Sequence, residues 1–283
     1  MLHRANLTEF LARPGPLIRL CIANVRGSSP REVGAEMFVR ERGLHGTIGG
    51  GRLEHMAIET ARRMLSGDEI ATQLDVALGP EIGQCCGGRI TVDLKRMTAG
   101  DIEQALDRAA ADEAAWPEVY ILGAGHVGRA LADLFQHMPV RTILIDPRLE
   151  ELSLNRAMVE ARNSVLPELD ISIAGPGSAF IVVTHDHGLD FLLAQAALAR
   201  TDACYVGMIG SATKRAKFES WSRHQCDAQL AEHLVCPIGA GGTRDKRPAV
   251  IAAFVVAEVM ARLTSAVADN STNRTAWPLF AAE

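Results

Sequence analysis

The stretch VYILGAGHVG, residues 119–128, runs from four apolar residues suited to a strand directly into glycines spaced G-x-G-x-x-G, and from there into a helical pattern at about 127–137. The spacing alone is a weak signal. Its position after a strand and at the opening of a helix is what phosphate cradling by backbone amides requires. In such a loop Gly123 permits the tight turn and Gly125 lets backbone approach a pyrophosphate. Gly128 allows the helix to pack closely on the strand, with the phosphate at the helix N-terminus. Asp146 closes the next apolar run, TILI at 142–145, near the separation of about 20 residues at which a carboxylate accepts hydrogen bonds from ribose hydroxyls. The competing reading is a tight turn with Asp146 capping a loop before Pro147. Having both features in register favours a nucleotide-type pocket.

Outward from that loop, strand and helix alternate: VYIL (119–122), TILI (142–145), AFIVVT (179–184), a helix at about 189–200, ACYVGMI (203–209) and a last helix at 248–263. Continuous apolar runs such as Phe180-Ile181-Val182-Val183 are expected when helices cover both faces of a parallel sheet. The reading is α/β, with a Rossmann-like doubly wound parallel sheet over 118–283. Ligands of such sheets bind outside the carboxyl ends of the strands. Two further loops arrive there, Thr184-His185-Asp186-His187 and Gly207-Met208-Ile209-Gly210-Ser211. His185 offers a general acid or base near neutral pH, or a ligand atom, but no third imidazole or Cys-x-x-Cys completes a zinc set. Asp186 as the cap of the following helix explains the same residues equally well. Lys214 and Arg215 fit an anion contact or a solvated helix face and receive no role.

The first hundred residues read as a separate mixed α/β domain, 1–100. Short β segments (17–24, 36–40, about 72–78, 89–95) surround one helix, Leu53 to Leu65, whose apolar residues recur every three or four positions. An alanine-rich helical linker, 101–117, ends at Trp116-Pro117. Two loops look like anion cradles. Gly27-Ser28-Ser29-Pro30-Arg31 supplies Ser28, Ser29 and Arg31 as donors, and Gly46-Thr47-Ile48-Gly49-Gly50-Gly51 precedes the helix with Gly49, Gly50 and Gly51. Hairpin turns that need positive φ are the alternative for each. Gly83-Gln84-Cys85-Cys86-Gly87-Gly88 sets two adjacent thiols in a glycine-rich loop. Adjacent cysteines serve one tetrahedral zinc poorly, so Cys85 and Cys86 point to a reactive thiol or a soft-metal contact, against the alternative that one is core and the other idle.

Composition narrows the classes further. The 283 residues carry 29 Lys+Arg against 34 Asp+Glu, a net charge of -5 and 48% hydrophobic residues. Disordered and collagen-like chains are excluded, and the basic footprint of nucleic-acid binding is missing. The longest uncharged stretch, Ile171 to Thr184, is shorter than the roughly 20 residues a membrane span needs. Glu9 and Arg13 interrupt any secretory leader, so a cytoplasmic location with six reduced thiols is expected.

Taken in order, GSSPREVGAEM (27–37), GTIGGGRLE (46–54), GQCCGG (83–88), ILGAGHVG (121–128), THDH (184–187) and VGMIGSATK (206–214) make the chain resemble the XdhC family of xanthine dehydrogenase accessory proteins, over residues 17 to about 263. The resemblance implies a non-catalytic chaperone that binds molybdenum cofactor (molybdopterin) and shields it while a cysteine desulfurase supplies the terminal sulfido ligand. The cofactor is then delivered to the molybdenum-binding subunit of xanthine dehydrogenase. It further implies a homodimer, anionic ends of the cofactor in the GTIGGG and GAGHVG loops, and Cys85 or Cys86 near the metal. The alternative is an NAD-dependent oxidoreductase that uses Gly123, Gly125, Gly128 and Asp146 for the nucleotide and His185 for proton transfer, NAD(P) or another nucleotide being the second cofactor the loop could hold. That alternative leaves the three loops of the first hundred residues without a task.

Overall fold

The computed structural model describes residues 2–67, 72–79, 87–225, 228–239, 241 and 245–270. Two compact units are built around Ala5–Ala109 and Ala110–Thr275, and the division falls inside one helix, Ala99–Ala115.

The N-terminal unit contains α1 (Leu2–Ala12), β1 (Ile18–Arg26), β2 (Glu36–Val39), β3 (Leu44–Gly46), α2 (Gly51–Ser66), β4 (Gln73–Ala77), β5 (Arg89–Arg96) and the first part of α3 (Ala99–Ala115). Its five strands pair antiparallel in the order β3-β2-β1-β5-β4. Alternation along β1 sends Ile18, Leu20 and Ile22 to one face, where they pack with Leu53, Ala57, Ala61 and Met64 of α2. Burying each of the larger side chains stabilises the unit by about 1.5–3 kcal/mol. A second cluster gathers Phe10 and Leu11 of α1, Phe38 of β2 and Ala105 of α3. Arg40, only 5% exposed, closes the end of α1 by donating to the carbonyls of Phe10, Leu11 and Gly15.

The C-terminal unit winds through β6 (Glu118–Leu122), α4 (His126–Phe135), β7 (Arg141–Asp146), α5 (Leu149–Ser153), β8 (Glu160–Asn163), α6 (Pro167–Ile173), β9 (Ala179–Val182), α7 (His187–Leu198), β10 (Tyr205–Met208), α8 (Ala212–Gln225), a 3-10 turn (Ala228–His233) and α9 (Pro248–Asn270). Its sheet is parallel throughout, in the order β10-β9-β6-β7-β8. Every residue of β9 and β10 is buried, because helices cover both faces. One face packs Leu131 and Phe135 of α4 against Ala252, Val255 and Val259 of α9, and the other packs Phe180 with Leu193 and Ala197 of α7. Strand order reverses between β6 and β9, so the crevice of this fold opens at their carboxyl ends. The residues that follow those ends are Gly123–Gly128 and Thr184–His187.

Candidate functional site

The three glycines of the β6–α4 loop do three different things. Gly123 has φ +121°, and a Cβ there would lie 2.6 Å from the Val183 carbonyl oxygen. At Gly128 a Cβ would lie 1.8 Å from the Gly123 oxygen, so the first turn of α4 rests directly on the loop. At Gly125 a Cβ would meet nothing within 4 Å, and its open side faces a cavity of about 320 Å³. Gly125, His126, Arg148, Thr184, His185 and Ile209 line that cavity, whose volume lies at the lower end of the roughly 300–1,000 Å³ of small-molecule sites.

Asp146 is bonded to its own loop. Its carboxylate is 2% exposed and already holds four donors. Oδ2 accepts from the Ala124 amide at 2.7 Å and Arg148 Nη2 at 2.9 Å, and Oδ1 accepts from the Arg148 amide and Nε, both at 2.9 Å. With these four bonds Asp146 braces the glycine loop. Burial pushes this carboxyl up, but the bonds from Arg148 and from the Ala124 and Arg148 amides outweigh it and hold it below the usual carboxylate range. Arg129 adds a second brace, donating to the Ala124 carbonyl and to Glu151 Oε2, both at 2.6 Å.

In the Thr184–His187 loop, Asp186 caps α7 by accepting from the amides of Gly188 at 2.7 Å and Leu189 at 3.1 Å. The Leu189 and Gly188 amides hold its carboxyl low. His185 stays exposed at the cavity wall. Among the described residues no three His, Cys, Asp or Glu side chains gather as metal ligands. Sequence reasoning missed Asp190 and gave Lys214 no role, although both lie buried beside this loop as an ion pair. The available signal was a carboxylate on the inward stripe of α7, in line with Leu193, Ala194 and Ala197, since a charge there requires a buried partner.

In the N-terminal unit the glycine loops converge. A Cβ on Gly49, at φ +120°, would lie 2.6 Å from Pro30 Cγ and 3.4 Å from Arg31 Cγ, so the 27–31 and 46–51 loops touch. Ser28 bridges Gly87, the residue after Cys86 in the sequence. The amides of the 46–51 loop are partly spent. Glu54 Oε2 accepts from Ile48 N at 3.0 Å, Gly50 N at 3.1 Å and Thr47 Oγ1 at 2.5 Å, while Gly49 N donates to Thr47 Oγ1. This cradle therefore carries a carboxylate from its own helix. Gly50 caps α2 and Gly51 opens it. Ser29 Oγ bonds to its own loop at Arg31, whose guanidinium has no partner among the described residues. Gln84, Cys85 and Cys86 lie outside the described residues. Cys21, Cys204 and Cys236 are free thiols, and burial pushes each of them up.

Fold and loops together define a nucleotide-type doubly wound unit joined in sequence to an antiparallel unit with clustered glycine loops. The chain belongs to the XdhC family: residues 119–259 match the XdhC Rossmann domain, and residues 10–74 match the XdhC and CoxI family. The fold is also that of a crystal structure described as a xanthine dehydrogenase from Bacillus halodurans. That match has a TM-score of 0.73 at 17% identity and covers 93% of this chain and 96% of the other. No curated protein matches the sequence.

Proposed function

We propose that this protein binds molybdenum cofactor, holds it while a cysteine desulfurase supplies the sulfido ligand, and passes it to the molybdenum-binding subunit of xanthine dehydrogenase. It does so as a homodimer in the cytoplasm and without chemistry of its own. The observation that carries this reading is the meeting of the 27–31 and 46–51 loops and Gly87 in the N-terminal unit, with Arg31, whose guanidinium has no partner among the described residues, at that junction. A phosphate-bearing pterin needs donors of this kind, and a soft metal has affinity for the thiols of Cys85 and Cys86. Ser28, Ser29, Arg31, Gly49, Gly50 and Gly51 are the residues assigned to the anionic end. His185 and the open side of Gly125 are assigned to a ligand in the C-terminal cavity, either the pterin phosphate or a separate nucleotide.

The test is to isolate the protein from molybdate-fed cells and measure metal, oxidised-pterin fluorescence and released nucleotide on one sample. Near-equimolar molybdenum and pterin, lost in a Cys85→Ala/Cys86→Ala variant together with activation of apo-dehydrogenase, is the expected result. Undiminished cofactor binding in that variant removes the thiol assignment. Protein that takes up no pterin yet reduces NAD with a substrate overturns the whole reading in favour of the oxidoreductase.

A further inference from the structure

Asp190 and Lys214 are the most deeply buried charged pair beside the C-terminal cavity, at 0% and 9% exposure. Asp190 stands on α7 and Lys214 on α8, and each reaches back to a cavity loop. Asp190 Oδ1 accepts from Thr184 N at 3.0 Å and from Thr184 Oγ1 at 2.6 Å. Asp190 Oδ2 accepts from Lys214 Nζ, which also donates to the Ile209 carbonyl at 2.9 Å. One ion pair thus ties the loop after β9 to the loop after β10, through Thr184 and Ile209, which both line the cavity. Gly210 lies directly on the lysine stem, where an added Cβ would approach Lys214 Cδ to 2.9 Å and Cys236 Sγ to 3.1 Å.

A buried ion pair is a poor device for stability alone, because desolvation offsets most of its attraction and apolar residues of similar volume do as well. What it supplies is direction. Two loops of different helices are held through specific atoms, and His185, next to Thr184, is held with them. We infer that Asp190 and Lys214 are positioning residues that keep the Thr184–His185 and Ile209 walls of the cavity in the shape its ligand requires. The inference rests on reading that cavity as a ligand site.

The test uses the full chain in three variants: Asp190→Asn, Lys214→Met and the double substitution. Amide hydrogen exchange is followed by mass spectrometry, and retained pterin and nucleotide are assayed on the same preparations. Each single variant should raise exchange at 184–189 and 209–211 by about tenfold or more while β6, β7 and α9 keep their protection. Retained ligand should fall in parallel. The double variant leaves no unpaired buried charge, so its thermal stability should recover toward wild type while the loops stay loose. Exchange that rises evenly over the unit, or loops that recover with stability in the double variant, overturns the positioning role. Loose loops with undiminished ligand retention overturn it too. A wild-type protein that retains neither pterin nor nucleotide overturns the ligand-site reading instead, and the exchange pattern still reports whether the pair holds the loops.

Discussion

Replacing Glu54 by alanine separates a cradle that receives a ligand from one that is merely a well-braced turn. Glu54 Oε2 takes three donors, the amides of Ile48 and Gly50 and the Thr47 hydroxyl, and so closes the N-terminus of α2 from within. Hydrogen bonds to a charged group contribute about 1.5–3 kcal/mol each when buried, and an exposed helix cap contributes about 0.5–2 kcal/mol in total. The Thr47 bond is exposed and the two amide bonds are partly buried, which places the loss near ~1–2 kcal/mol. For a unit of roughly 100 residues that lowers the melting temperature by about 5–10 °C. Binding should move the opposite way. The Ile48 and Gly50 amides serve one anion at a time, so if they receive the anionic end of a ligand, Glu54 competes with it and its removal frees them. Thermal unfolding with and without inorganic phosphate reads both effects, since a ligand stabilises by RT ln(1 + [L]/Kd). The expected outcome is a less stable Glu54→Ala protein whose melting temperature rises more with phosphate than that of wild type. Unchanged stability refutes the bracing argument. A phosphate response that falls along with stability shows that Glu54 shapes the cradle and does not compete for it.

Two of the three glycines of the β6–α4 loop, Gly125 and Gly128, should respond differently to alanine. Gly128→Ala drives a Cβ to 1.8 Å from the Gly123 oxygen and should cost about 3 kcal/mol or more in urea unfolding, whereas Gly125→Ala meets open space and should change ligand retention with little loss of stability. Asp146 has a folded-state carboxyl held below its unfolded value, so its contribution is complete above about pH 4 and disappears as pH falls through the folded value. Urea unfolding at pH 7 and pH 3 should therefore show Asp146→Asn well below wild type at the higher pH and the gap between the two proteins smaller at the lower. Cys21, Cys204 and Cys236, whose thiols burial pushes up, should be alkylated slowly by iodoacetamide at pH 7 in the folded protein and rapidly in urea, as peptide mapping would show.

How much of this was legible depends on what a sequence pattern encodes. The runs VYIL, TILI and AFIV announce buried parallel strands because covering both faces of a sheet requires unbroken apolar residues, and all three are strands. The edge strand β8, Glu160–Asn163, has no buried residue: Ala161 and Asn163 are exposed, Glu160 and Arg162 are half-buried and ion-paired, and so the strand gives no apolar signal. Helix α6 keeps only Pro167 and Ile171 buried, too little periodicity for a reader of the sequence. The same limit governs the site. Glycine spacing identifies loops that can present amides, and the amides of Ala124, Ile48 and Gly50 donate to carboxylates of the chain itself. Spacing says nothing about which acceptor takes them, because that acceptor comes from another element: Asp146 at the end of β7 for Ala124, and Glu54 on α2 for Ile48 and Gly50. Each carboxylate is a residue any reading of the motif would notice, one as a ribose acceptor and the other as part of GTIGGGRLE. In the folded chain each has turned inward to satisfy its own loop. What lines the cavity in the C-terminal unit includes the open side of Gly125 and the start of α4, with the walls tied by Lys214, the last residue of VGMIGSATK, and by Asp190, which no motif marks. Donors are countable from sequence, but their availability is decided by hydrogen bonds that only the fold closes.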